Sequence, residues 1–300
     1  MERQLEPVGS LGRRLMQRLL RRPGTGAAAT REARVIAVAS GKGGTGKSFL
    51  STNLAVALHR MGRRVVVVDC DFGLGNAHLL LGVNPRFALH HLLSGEADLT
   101  RVLTPTPFGP ELVAGGSGIS GLAEFSARQF LMLARALGAV ARDRDVVILD
   151  CAAGLSTQSL LTTLGAEHVL LVTNPEIAAL TDAYALVKCI ARYERSPDIH
   201  LVVNRVAEAG QGRPTFERLA DVTRRFVGRS LHYLGEITDN PAVSHRRLGQ
   251  PPLIVSHEEC NESKAIRSIL NGLEVAAGPL VAGMPAEGLE QRLMQRLRGR

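Results

Sequence analysis

Residues 34–48 read RVIAVASGKGGTGKS, a short apolar run that ends in Gly41-Lys42-Gly43-Gly44-Thr45-Gly46-Lys47-Ser48. Two glycines with four residues between them, then Lys and Ser, form the pattern of a phosphate-binding loop when a strand precedes and a helix follows. The chemistry needs these residue types. Glycines let successive backbone N–H groups turn inward around phosphate oxygens, and the following helix presents its positive end. Lys47 is expected to reach the β- and γ-phosphates and the Ser48 hydroxyl to ligate Mg²⁺. Only four of the 36 basic side chains are lysine, and two of the four, Lys42 and Lys47, lie in this loop. A compact ammonium is wanted there, and a bulky guanidinium is not.

Outward from the loop, further short apolar runs predict strands at residues 64–69, 145–150, 168–173 and 199–204. Helical patterns lie between them at 47–61, 126–142, 177–193 and 216–227. Alternation of this kind predicts an α/β fold of the P-loop NTPase type, a mostly parallel sheet covered on both faces, in a single domain spanning 34–276. Residues 231–237 and 252–255 read as further strands and 261–276 as a closing helix. Aromatics make up 4% of the chain with no Trp, so the core has to be aliphatic, as in buried parallel sheets. The cysteines at 70, 151, 189 and 260 show no metal or disulfide spacing and read as small buried residues of a reducing compartment. No stretch reaches the ~18–20 apolar residues of a membrane span, and no leader peptide is evident, so a cytoplasmic location is expected.

Two carboxylates, Asp69 and Asp71, end the second predicted strand in DCDFGLGN (69–76), and at i and i+2 they point to one side. Asp150 closes the apolar run DVVILD, where an acid holds Mg²⁺ through water in P-loop enzymes. Taken together, GKGGTGKS with its extra Lys42, DCDFGLGN followed by HLLLG, the 150–156 segment, TNPE (173–176) and GEITDNPAV (235–243) resemble the MinD/ParA superfamily of deviant-Walker ATPases. That resemblance covers about residues 34–275. It implies ATP and Mg²⁺ as cofactors, a slow, partner-stimulated ATPase, and a homodimer sandwiching nucleotide in which Lys42 reaches the phosphates held by the other subunit. By the same resemblance Asp71 orients the attacking water, Asn76 belongs to its switch loop, and Asn204 contacts adenine. Cys151-Ala152 depart from the family's Ser or Thr followed by Pro or Gly. No second Cys stands near 115–120, which excludes an iron–sulfur reading of Cys151.

Stretches at 116–125, 180–188, 216–227 and 231–235 resemble the flagellar-number-regulator branch (FlhG, also called FleN or YlxH). That implies control of the number or placement of a structure such as flagella, with a protein partner of the FlhF or flagellar-switch type. The branch's short N-terminal DQA-type element is missing from residues 1–33. The net charge of +8 is concentrated in the tails: residues 1–34 hold eight Arg against three Glu, and 284–300 four Arg against two Glu. Residues 277–287 read as a linker to a C-terminal amphipathic helix at 288–300, with Leu289, Leu293, Met294 and Leu297 in one sector. Such a helix suits an anionic membrane surface, where dimerisation would double the anchors and place the protein at the inner face of the cell membrane, or else a seat on the protein's own core or on a partner helix. The basic N-terminal segment, 1–33, repeats the hexapeptide RLMQRL (14–19 and 292–297) and is a second candidate for that surface. The rival expectation is a ParA-like partition ATPase that holds DNA through surface Arg pairs; the near-neutral body of the chain speaks against it.

Overall fold

A computed structural model describes residues 31–298 apart from 74, 117–126, 194–195, 245–249 and 286. Its centre is an eight-stranded sheet of β1 (Arg34–Ala39), β2 (Val65–Cys70), β3 (Leu103–Pro105), β4 (Glu111–Val113), β5 (Val146–Cys151), β6 (His168–Thr173), β7 (Asp198–Val206) and β8 (His232–Thr238). The order is β3-β4-β2-β5-β1-β6-β7-β8, parallel throughout except for the edge strand β3. The helices are α1 (Lys47–Arg60), α2 (Ala77–Leu80), α3 (Leu89–Ser94), α4 (Leu99–Val102), α5 (Ala127–Arg142), α6 (Thr157–Gly165), α7 (Ile177–Ala191), α8 (Gly212–Val227), α9 (Pro241–Ser244), α10 (Leu253–Ser256), α11 (Asn261–Ala277) and α12 (Leu289–Arg298).

The sheet separates two apolar layers. Alternate residues of β1 show the division: Val35, Ala37 and Ala39 pack with α5–α8, while Ile36 and Val38 pack with α1 and α11. Both faces are buried, which is why these strands read as continuous apolar runs rather than as alternation. The chain leaves β1 toward β5 and β2 on one side and toward β6, β7 and β8 on the other. The carboxyl end of β1 is therefore the crevice where ligands bind in open parallel sheets.

Two expectations need correction. Residues 252–255 are not a strand. Leu253 and Ile254 are buried in the helical turn α10, where Ile254 N donates to Asn53 Oδ1 on α1 at 3.0 Å. A four-residue apolar run has the same pattern in either conformation. Residues 277–287 are no free linker: Leu280 is fully buried, and Gly283 pairs with Glu32 in an isolated β-bridge. Of the seats open to the C-terminal helix, α12 takes the protein's own core: Leu289, Leu293 and Met294 are buried in the cluster formed with α5 and α6. The expectations for residues 1–30, and most of 116–125, lie outside the described residues.

A helix absent from the sequence reading, α6, runs TQSLLTTLG, with Leu164 in the core cluster and Leu160 and Leu161 packed against it. Its buried threonine hydroxyls are satisfied by bonding backward within it: Thr162 Oγ1 donates to Gln158 O at 3.0 Å and Thr163 Oγ1 to Ser159 O at 2.7 Å.

At the amino end of the strands, His168, His200 and His232 stack across β6, β7 and β8 with ring centroids 5.3 Å apart. Arg34 Nη2 lies 3.0 Å from His168 Nε2, and Asp198 stands 3.9 Å from His168 Nδ1. Burial, then the neighbouring His168 and His232, hold the His200 imidazole down at about 4. A histidine neutral when folded and near 6.5 when unfolded takes up a proton on unfolding between those values, so it removes stability as pH falls through that window. Replacing His200 by Leu is expected to recover on the order of 1–2 kcal/mol at pH 5 relative to the parent and little at pH 8. Parallel melts of both proteins across pH 5–8 check this, and a constant difference would refute it.

Candidate nucleotide-binding site

The loop after β1 is held from several directions before any ligand enters. Gly46, at the start of α1, has φ 95°, a backbone region open chiefly to glycine. Gly41 leaves no room for a side chain, because a Cβ there would run into the backbone of Asp182 and Ala183 on α7. Ser40 Oγ donates to Lys42 O at 2.6 Å, and Asn204 Nδ2 donates to Thr45 O at 2.7 Å. Asn204, at the carboxyl end of β7, thus braces the loop from beneath. The next residue, Arg205, takes φ 58° at a break in the β7–β8 register and pairs with Asp239 at 3.4 Å.

The site is built for an anion and a cation. The α1 N-terminus carries no acidic residue in its first turn and no side-chain cap, so its N–H groups face the crevice without a partner from the cap position. Space above Gly43 and Gly44 is open. The Thr45 hydroxyl is buried with no hydrogen-bond partner, and so is Asn174 Oδ1 nearby. These are the orphaned groups expected where a phosphate chain and its bound ion sit.

Three carboxylates converge opposite the loop. Asp69 and Asp150 are in register across β2 and β5, both almost fully buried. Burial first, then the Asp150 charge, push the Asp69 carboxyl up to about 7. Burial raises Asp150 to about 6 against hydrogen bonds from Ser48 and Ser51 and the Lys47 charge. Ser51 Oγ, one turn along α1 from Ser48, lies 3.1 Å from Asp150 Oδ1. Asp150 and Ser48 therefore fit a magnesium ion: two hard oxygen donors, one of them a buried carboxylate, beside the phosphate loop.

Asp69 organises the segment that carries Asp71. Its Oδ1 accepts from Asp71 N at 3.0 Å and its Oδ2 from Ala77 N at 3.1 Å, closing residues 71–77 into a loop. Asp71 Oδ1 in turn accepts from Gly73 N at 3.2 Å. Opposite, Gly154 N donates to Ser40 O at 3.0 Å, tying the segment after Asp150 to the phosphate loop. Asn76 begins α2 and is exposed, with no side-chain cap bond there. An Asp69→Asn variant retains one acceptor where two are used, and is expected to turn over about tenfold more slowly with ATP affinity changed less than about threefold. Steady-state rates with parallel nucleotide titrations check it.

Lys42 is engaged outside its own loop. Its Nζ donates to Glu176 Oε2 at 2.6 Å, and Glu176 Oε1 accepts from Asn174 Nδ2 at 3.1 Å. The pair is largely exposed. Beside it, Ile177 is 84% exposed, and Leu155, next to Gly154, is 46% exposed. Glu176, Ser51 and the anchoring use of Asp69 escaped the sequence reading. Ser51 had a signal, since i+3 from Ser48 shares a helix face; the Glu176 contact spans 134 positions and had none.

The family described as the CobQ/CobB/MinD/ParA nucleotide binding domain matches residues 36–251. The antiactivator FleN of Pseudomonas aeruginosa is 34% identical over 264 residues, covering 87% of this chain and 93% of FleN. The flagellum site-determining protein YlxH of Helicobacter pylori is 35% identical over 206 residues, covering 68% of this chain and 69% of YlxH. Among solved structures, the septum site-determining protein MinD of Pyrococcus horikoshii, complexed with Mg-ADP, superposes with a TM-score of 0.67 at 28% identity, covering 82% of this chain and 97% of that one.

Proposed function

The chain belongs to the CobQ/CobB/MinD/ParA nucleotide-binding family, and from that footing we propose that it is a switch ATPase that sets the number or placement of flagella by cycling between a free monomer and an ATP-bound dimer on the membrane. The FleN and YlxH likenesses support the flagellar assignment. The observation that carries the switch is the position of Lys42. Its ammonium is held by Glu176 in an exposed ion pair, and the neighbouring Ile177 is exposed as well, which leaves Lys42 available to a second copy's nucleotide.

Within one subunit the geometry supports the following division of labour. The backbone N–H groups of residues 43–48 and the α1 N-terminus cradle the β- and γ-phosphates, with Lys47 beside them. Ser48 and Asp150 would hold Mg²⁺, which neutralises charge on the transferred phosphoryl group. Asp71, fixed by Asp69, orients the attacking water. Asn204, bonded to Thr45 O of the loop from the β7 side, would contact the base.

The C-terminal helix sets the condition for membrane attachment. With Leu289, Leu293 and Met294 buried against α5 and α6, α12 reaches a bilayer only after leaving the core. Among the described residues no helix is long and apolar enough to cross a membrane, so attachment would be peripheral. DNA binding through surface Arg pairs finds less support, because Arg64 is engaged by Asp145 and Arg224 by Asp221.

A Lys42→Ala variant is expected to bind ATP within about threefold of the parent and to stay monomeric with ATP and Mg²⁺, where the parent dimerises. Sedimentation equilibrium and pelleting with anionic vesicles test both halves. ATP-dependent dimers of Lys42→Ala would overturn the cross-subunit role. Binding to DNA with a steep salt slope, and none to vesicles, would overturn the membrane reading.

A further inference from the structure

The groove that holds α12 is defined residue by residue. Leu289 and Leu293 are fully buried and Met294 nearly so, in one cluster with α5 and α6. Two glycines let the helix approach: a Cβ on Gly165 would lie 2.5 Å from Leu293 Cδ2, and one on Gly138 would lie 2.6 Å from Glu290 Cβ. Arg292 is clamped at the groove wall, its Nε donating to Gly165 O at 2.8 Å, its Nη1 to Glu287 O at 2.6 Å, and its Nη2 standing 3.4 Å from Glu167 Oε1. Glu290 pairs with Arg142 at 3.2 Å. Gln291 is exposed.

The same determinants occur a second time in the chain. Residues 289–297 read LEQRLMQRL and residues 11–19 read LGRRLMQRL, identical at seven of nine positions. Leu11, Leu15 and Met16 correspond to the buried Leu289, Leu293 and Met294, and Arg14 to the clamped Arg292. The two differences are Gly12 for Glu290 and Arg13 for the exposed Gln291. A general amphipathic pattern would preserve hydrophobicity. Here the side-chain identities that fit this groove are preserved.

The connection permits the fit. Arg31 Nη2 donates to Ala282 O at 2.9 Å, and Glu32 Oε2 accepts from Leu289 N at 3.0 Å, so the chain enters the fold beside the start of α12. Residues 20–30 can extend over roughly 35 Å, while a ten-residue helix such as α12 is about 15 Å long. The N-terminal segment can therefore lie along the groove in the direction α12 takes. Glu32, packed against Gly288, has to swing aside to admit Ser10, and Ser10 can then cap the new helix itself.

We propose that the groove between α5 and α6 is a shared docking site, held by α12 and, once α12 leaves, by residues 11–19 of the same chain. Gly12 lacks the Arg142 partner and weakens the helix, so the N-terminal copy binds about tenfold less tightly and α12 holds the groove at rest. Exchange lets α12 depart without leaving an apolar trough in water. It requires only that α12 can leave, whatever surface receives it.

Hydrogen exchange by mass spectrometry on the full-length protein tests this. In the parent, peptides from 289–298 are protected and those from 11–19 are not. In Leu293→Glu with Met294→Glu, residues 11–19 gain protection of about tenfold or more while α6 stays protected. Adding Leu15→Glu and Met16→Glu removes both protections. If the double glutamate variant does not fold, judged by loss of protection in β1 and β5, a chain ending at Gly288 replaces it. Residues 11–19 left unprotected in a folded chain without docked α12 overturn the proposal. Protection that grows with protein concentration also overturns it, because the segment then comes from a second copy.

Discussion

Asp71→Ala is expected to hydrolyse ATP on the order of 10²–10³-fold more slowly than the parent while still forming ATP-dependent dimers. Asp71 follows β2 directly and sits half-buried in the crevice that holds Asp150 and Asp69. Its carboxylate accepts from Gly73 N within its own loop, so its placement does not depend on a ligand. Everything that grips the phosphates lies elsewhere, in the α1 N-terminus and Lys47, and the surface around Lys42, Leu155 and Ile177 is untouched by the change. Binding and dimerisation should survive, and the chemical step should not. Single-turnover hydrolysis together with sedimentation measures the two separately. A single-turnover rate within about threefold of the parent would remove Asp71 from the reaction, whereas loss of dimers would make it part of the interface.

Gly165→Leu is expected to expel α12 from its groove. A Cβ at this position already meets Leu293 Cδ2 at 2.5 Å and Cγ at 2.9 Å, and a full leucine side chain would fill the space of Leu293 itself. Because α6 ends at Gly165 with helical backbone, the substitution should not disturb that helix. Limited proteolysis is expected to cut within 289–298 at least tenfold faster, and the melting temperature to fall, as buried leucines each contribute ~2–5 kcal/mol. On the membrane reading, the variant pellets with anionic vesicles without ATP, where the parent requires it. Fast proteolysis without vesicle binding would separate the two ideas, leaving the docked helix and removing its membrane role.

Much of the site was legible because its parts are local. The phosphate loop needs eight consecutive residues, and its setting follows from the strand and helix on either side. Asp71 and Asp150 were visible because strand ends in parallel sheets gather at one crevice. The helix α6 was not legible, since its three leucines span barely one turn and the rest of its buried face is mostly Ser and Thr, with Thr162 and Thr163 satisfied by bonds along their own helix. Strands β3 and β4, of three residues each, are too short to show a period. The turn at 253–256 was misread because periodicity cannot tell a short buried strand from a short buried helix.

By itself the sequence determined that this chain binds nucleotide phosphate on a parallel α/β sheet. Motif spacing and β-branched runs act through neighbouring residues, and neighbours in sequence are enough to specify them. Only the tertiary structure decided what long-range contacts decide: that Lys42 rests on Glu176, that Asn204 braces the phosphate loop, and that α12 is folded onto its own core. Amphipathic periodicity is the same whether the apolar side faces lipid or protein. The deciding residues, Gly138 and Gly165, lie more than a hundred positions away from the helix they admit.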